Sequence, residues 1–94
     1  MRRAEQWILR EIAGESILVP TGSAAVHFNG IVTVNDAGRV LYDALAEETD
    51  RAGLKARLMA EYEVDEATAE ADVAEFLQQM REIGALVEEA DGQK

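Results

Sequence analysis

The feature that constrains this chain most is a change of texture at Asn35. Residues 7–34 are rich in β-branched side chains and are interrupted by Gly14, Gly22, Gly30 and the chain's only proline, Pro20. Residues 35–83 contain two glycines, Gly38 and Gly53, and no proline. β-Branched residues suit a pleated surface and lose rotamer freedom in a helix, whereas a stretch nearly free of glycine and proline lets helices propagate. The first part therefore reads as strands joined by turns and the second as helices. Ninety-four residues make one domain with one modest core, so function must use a surface, a groove or a short loop.

Trp7–Ile12 reads as a strand with Ile8, Arg10 and Ile12 on one face. The short connection around Gly14 turns it into a hairpin with Ser16–Pro20. After a turn at Thr21–Ser23, Ala25–Phe28 reads as a short extended piece closed by the turn dipeptide Asn29-Gly30, and Ile31–Val34 is the most β-prone stretch of all. Asn35 or Asp36 is placed to cap a first helix bearing Ala37, Val40, Leu41, Ala44 and Leu45 on one face. Thr49 or Asp50 starts a second with Leu54, Leu58 and Tyr62, in which Gly53 costs about 1 kcal/mol relative to alanine. Asp65 caps the third and longest, whose buried stripe is Ala69, Val73, Phe76, Leu77, Met80 and Ile83, with Gly84 just past its end. The expected architecture is α+β, a three-stranded antiparallel sheet followed by three helices, with the helix order of a winged helix-turn-helix. It forms one domain over residues 7–88, with 1–6 and 89–94 as flexible ends.

The residues argue against catalysis. There is no cysteine and one histidine, His27, with no second metal ligand near it in sequence. Ser16 and Ser23 lack a nucleophile elbow, and no phosphate-cradling loop or metal-binding helix motif is present. The many carboxylates lie in runs that read as solvated, so neither an enzyme nor a resident cofactor or metal is expected. The net charge is −10, from 19 acids and 9 bases, and nucleic acids and anionic membranes repel such a surface. A DNA-reading role is the weakest alternative, because the third helix carries Glu66, Glu70, Asp72, Glu75 and Glu82 against Arg81 alone. No apolar run is long enough to span a bilayer and no secretory signal opens the chain, so the cytoplasm is the expected compartment.

What remains is a sheet edge. Ile31–Val34 is apolar and β-branched, and the chain turns helical directly after it, so nothing that follows is evidently available to pair with its outer side. Natural proteins usually blunt such an edge with charge or proline, and this segment has neither. An extended peptide can add a strand there, its backbone supplying affinity and its alternate side chains specificity. A second copy of the chain can use the same edge, which makes a self-associating structural or regulatory module the alternative.

The ordered segments Leu9-Arg10-Glu11-Ile12-Ala13-Gly14-Glu15, Phe28-Asn29-Gly30-Ile31, Val34-Asn35 with Gly38, Tyr62-Glu63-Val64-Asp65, Asp72-Val73 with Phe76-Leu77, and Gly84-Ala85-Leu86 resemble the PqqD family across about residues 7–88. These are small peptide chaperones related to the precursor-peptide recognition elements of modified-peptide pathways. Val34 stands where that family usually has leucine, and Gly53 where it has a helix former. The resemblance implies a non-catalytic chaperone that binds the leader segment of a ribosomally made precursor peptide. It then presents the peptide to a modifying enzyme, often a radical S-adenosylmethionine protein, and acts as a monomer or weak homodimer. Carried onto this chain, it implies a leader strand beside Ile31, Val32, Thr33 and Val34. The opposite wall would be a helical rail of Asp72, Phe76, Gln79 and Ile83, with Ala69 near its start. An apolar leader with acidic or polar partners is the expected ligand.

Overall fold

The structure, a computed structural model, describes residues 1–27 and 30–88. The strands are β1 (Arg2–Arg3), β2 (Trp7–Ile12), β3 (Glu15–Pro20), β4 (Val32–Val34) and β5 (Leu86–Val87), and the helices are α1 (Gly22–His27), α2 (Asp36–Ala44), α3 (Arg51–Glu61) and α4 (Glu66–Glu82). β2, β3 and β4 form an antiparallel sheet in that order, and β1 and β5 form a separate antiparallel ribbon. The fold is the α+β arrangement expected, with the three long helices packed on one face of the sheet.

Register decides which side of the sheet is buried. Leu9 pairs with Leu18 and Leu18 with Val32, so these residues share one face with Trp7 and Val34. That face meets Leu41, Tyr42 and Leu45 of α2 and its end, Leu54 and Leu58 of α3, and Ala69, Val73, Phe76, Leu77 and Met80 of α4. Ile8 and Ile12 stand on the opposite face, 45% and 55% exposed. Tyr42 is buried, and its hydroxyl donates to the Trp7 carbonyl at 3.0 Å. Burial raises the Tyr42 phenol above its ordinary value, against the lowering effect of Arg3, whose guanidinium lies 4.6 Å over the ring.

Two expectations from sequence are corrected here. Residues 1–6 are not a loose end: Arg2 pairs with Val87 and Arg3 with Leu86, and the Arg3 amide donates to the Leu45 carbonyl at 2.9 Å. Ala25, Val26 and His27, expected to be extended, belong to α1, while Phe28 and Asn29 lie outside the described residues. The signal for α1 is not local. Its first turn is closed by the side chain of Gln6, whose Oε1 accepts from the Ser23 hydroxyl and from the Ala24 amide at 3.0 Å. Val26 is 79% exposed, so the helix has no apolar stripe to betray it.

The hairpin turn between β2 and β3 places both central residues at positive φ, Ala13 at 54° and Gly14 at 82°. This is the twist-matched type I′ signature, where asparagine followed by glycine is favoured and alanine pays a steric cost at its β-carbon. Ala13→Asn should stabilise the domain by about 0.5–1 kcal/mol, read as a higher midpoint in urea with an unchanged slope. No gain would mean that the turn relaxes.

The three long helices start at single polar caps. Asn35 Oδ1 accepts from the Gly38 amide at 2.7 Å, Asp50 Oδ1 from Gly53 at 2.8 Å and Asp65 Oδ1 from Thr68 at 2.8 Å. The hydrogen bonds from Thr68 hold the Asp65 carboxyl below its ordinary value of 3.8. A carboxyl depressed by folding stabilises the protein above its unfolded value and loses that contribution as pH falls through the lowered one. Asp65→Ala should therefore lower the urea midpoint at pH 7, and its deficit relative to the parent should shrink as the pH is taken below 3.8. A deficit independent of pH would contradict this role for the cap.

Candidate functional site: a sheet edge facing the longest helix

The direction of each backbone group in β4 follows from the hairpin before it. Ile12 and Glu15 close a two-residue turn and form its hydrogen-bonded pair. Alternation then makes Arg10–Ile17 and Ile8–Val19 hydrogen-bonded pairs as well. The Thr21 amide donating to the Gln6 carbonyl at 2.8 Å continues the same phase. Ile17 thus spends its backbone groups on β2, and Ser16 and Leu18 turn theirs toward β4, where they face Val34 and Val32. Thr33, opposite Ile17, must aim its N–H and C=O away from β3. No described residue pairs with β4 on that side.

The open side adjoins a cavity of about 580 Å³ lined by Thr33, Asn35, Ala37 and Gly38 on one wall and by Asp72, Glu75, Phe76, Gln78, Gln79 and Glu82 on the other. Local sequence builds both walls. Asn35 ends the strand and caps α2, so the chain reverses from sheet to helix within one residue. Gly38 lets that first turn sit close to its neighbours. A β-carbon there would press on Val34 Cγ1 and lie 3.3 Å from Phe76 Cδ1. On α4, Asp72, Gln79 and the largely buried Phe76 fall on the face beside the core stripe.

Of the residues singled out from sequence, Thr33, Asp72, Phe76 and Gln79 lie together on this cavity. Val32 is half-buried on the sheet's inner face, Val34 and Ala69 are buried in the core, and Ile83 packs against that core. Ile31 precedes the strand rather than joining it and is 57% exposed. The sequence reading missed Asn35, Ala37 and Gly38, because nothing local announces that α2 closes one end of the groove. It also missed Glu75, Gln78 and Glu82, although the spacing of Glu75 and Glu82, three or four residues from Asp72 or Gln79, was a usable signal. Among the described residues no cluster of three metal-ligating side chains forms, and no helix is long and apolar enough to cross a membrane.

An open strand edge walled by a helix defines a class of small α+β domain equipped to take up an extended chain. The family model for "Coenzyme PQQ synthesis protein D (PqqD)" matches residues 15–86. The chain belongs to the PqqD family. Among solved structures, it is similar to TbiB1 in complex with the TbiA(beta) leader peptide, with a TM-score of 0.73 and 22% identity over 97% of this chain and 100% of that one. It is also similar to a lasso peptide synthetase B1 complexed with its leader peptide, with a TM-score of 0.70 and 21% identity over 93% and 96% of the two chains. At these identities the likeness is one of fold. No curated protein matches the chain.

Proposed function

We propose that this protein is a non-catalytic chaperone that binds the leader segment of a ribosomally made precursor peptide by strand addition at β4 and presents it to a modifying enzyme. The observation that carries the reading is the juxtaposition of the outward-facing backbone of Thr33 with the groove below α4. Membership of the PqqD family supports it, as does a fold shared with two domains whose structures contain leader peptides. The modifying enzyme would act on the part of the precursor left outside the groove. A radical S-adenosylmethionine protein suits the family, and the cytoplasm suits a pathway of ribosomal peptides.

The test is calorimetric titration with the leader half of a short open reading frame neighbouring the gene. A dissociation constant near the micromolar level, about −8 kcal/mol, supports the reading. Absence of binding to such a leader in a gene cluster that also encodes a modifying enzyme contradicts it. The exposed Ile31, directly ahead of β4, favours a second reading, self-association through the same sheet edge. Sedimentation at low and high concentration separates the two, since a tight dimer built on β4 would exclude the peptide.

A further inference from the structure

The charge on the groove is one-sided. Its lining includes the carboxylates of Asp72, Glu75 and Glu82 and no lysine or arginine. Two bases on or beside α4 are engaged away from the groove, and Arg51 lines a separate hollow with Glu70 and Val73. Lys55 holds Glu66 at 2.8 Å and Glu70 at 3.8 Å, and Arg81 grips Glu88 through Nε at 2.8 Å and Nη2 at 3.1 Å. Arg39, next to Gly38, is exposed and does not line the cavity. Asp72, Glu75 and Glu82 make no ion pair with any described residue; Glu82 only accepts a hydrogen bond from Gln78 Nε2 at 3.1 Å. The acids of α4 on the α3 side are thus paired by Lys55, and Arg81 is spent on Glu88 beyond the helix, while the groove wall is left uncompensated.

We infer that the peptide taken by this groove carries lysine or arginine on the side chains that face α4, which reverses the acidic or polar leader expected from sequence. The inference rests on strand addition at β4 and specifies its ligand. Asp72 and Glu82 are ten residues apart, about 15 Å along a helix, and a strand advances about 13–14 Å over four residues. A strand following the groove meets the two ends with cationic residues at positions i and i+4. Position i+2 falls over Phe76 and the uncharged Gln79, where an apolar side chain fits. An acidic peptide in the same place would bring like charges together and lose the attraction.

The experiment is selection of random twelve-residue peptides, displayed on their encoding nucleic acid, against the full chain and against its D72N/E75Q/E82Q variant. Amide exchange at Thr33 is then measured with the enriched peptides bound. The parent should enrich lysine or arginine at two positions four residues apart with an apolar residue midway between them, and the variant should lose the cationic bias. A lysine-bearing winner should bind the variant about tenfold more weakly and weaken likewise in the parent as salt rises from 50 to 500 mM, about where screening shortens to a few ångströms. Thr33 should be protected in both proteins. Enriched peptides without cationic bias that still protect Thr33 would overturn the charge inference and leave strand addition standing. Winners that leave Thr33 unprotected would overturn strand addition, and the charge inference with it.

Discussion

Replacing Thr33 by proline should leave the domain folded and weaken leader-peptide binding by about tenfold or more. Proline is tolerated in an edge strand where the missing N–H would have pointed to solvent, and the phase set by the hairpin puts the Thr33 amide there. The substitution removes one donor from the row that an added strand must use, and its ring occupies the space next to it. Val32→Pro and Val34→Pro behave differently. Their amides face Leu18 and Ser16 across the ladder, so proline orphans an inter-strand partner at roughly 1–3 kcal/mol and strikes folding before binding. The register thus makes Thr33, of the three residues of β4, the one whose amide is open to an added strand. Circular dichroism and calorimetry on the three variants check it: if Thr33→Pro unfolds while Val34→Pro folds and loses binding, the phase is wrong.

The second large effect belongs to Gly38. Gly38→Val should lower stability by about 1–3 kcal/mol, roughly 5–20 °C in melting temperature for a domain of this size. The β-carbon alone would press on Val34 Cγ1, lie 3.2 Å from the capping Asn35 Oδ1 and approach Phe76 Cδ1 to 3.3 Å. Val34 and Phe76 are 4% and 5% exposed in a packed core, so they have little room to retreat. Relief would come from pushing α2 away from α4, which also deforms the groove. Gly38→Ala should fall between the two, since alanine regains up to about 1 kcal/mol of helix propensity against the same first contact. Thermal melts order the three proteins; a valine variant as stable as the parent would show that α2 is not held against β4 and α4.

What the sequence made legible was whatever is encoded locally. Asn35, Asp50 and Asp65 cap their helices as their side-chain chemistry favours, and the stripe from Ala69 to Met80 is buried as its spacing requires. Gly84, at φ 73°, ends α4, with the Ala85 amide donating to the Met80 carbonyl at 2.9 Å. What escaped is encoded at a distance. α1 is six residues long and depends on Gln6 across the chain, and β1 and β5 are two residues each, pairing the two ends of the domain. The site divides in the same way. The β-branched edge and the rail residues Asp72, Phe76 and Gln79 could be placed from periodicity and the family resemblance. The contribution of Asn35, Ala37 and Gly38, and the loss of Ala69 to the core, depend on how α2 seats against α4, which no local pattern states.

Amide hydrogen exchange at the three residues of β4, followed by NMR with and without bound leader peptide, tests the central claim most directly. In the free protein Val32 and Val34 should exchange slowly and Thr33 fast; with peptide bound, Thr33 should become slow as well. A Thr33 amide already protected in the free protein, or one that stays fast while peptide is bound, would contradict the account.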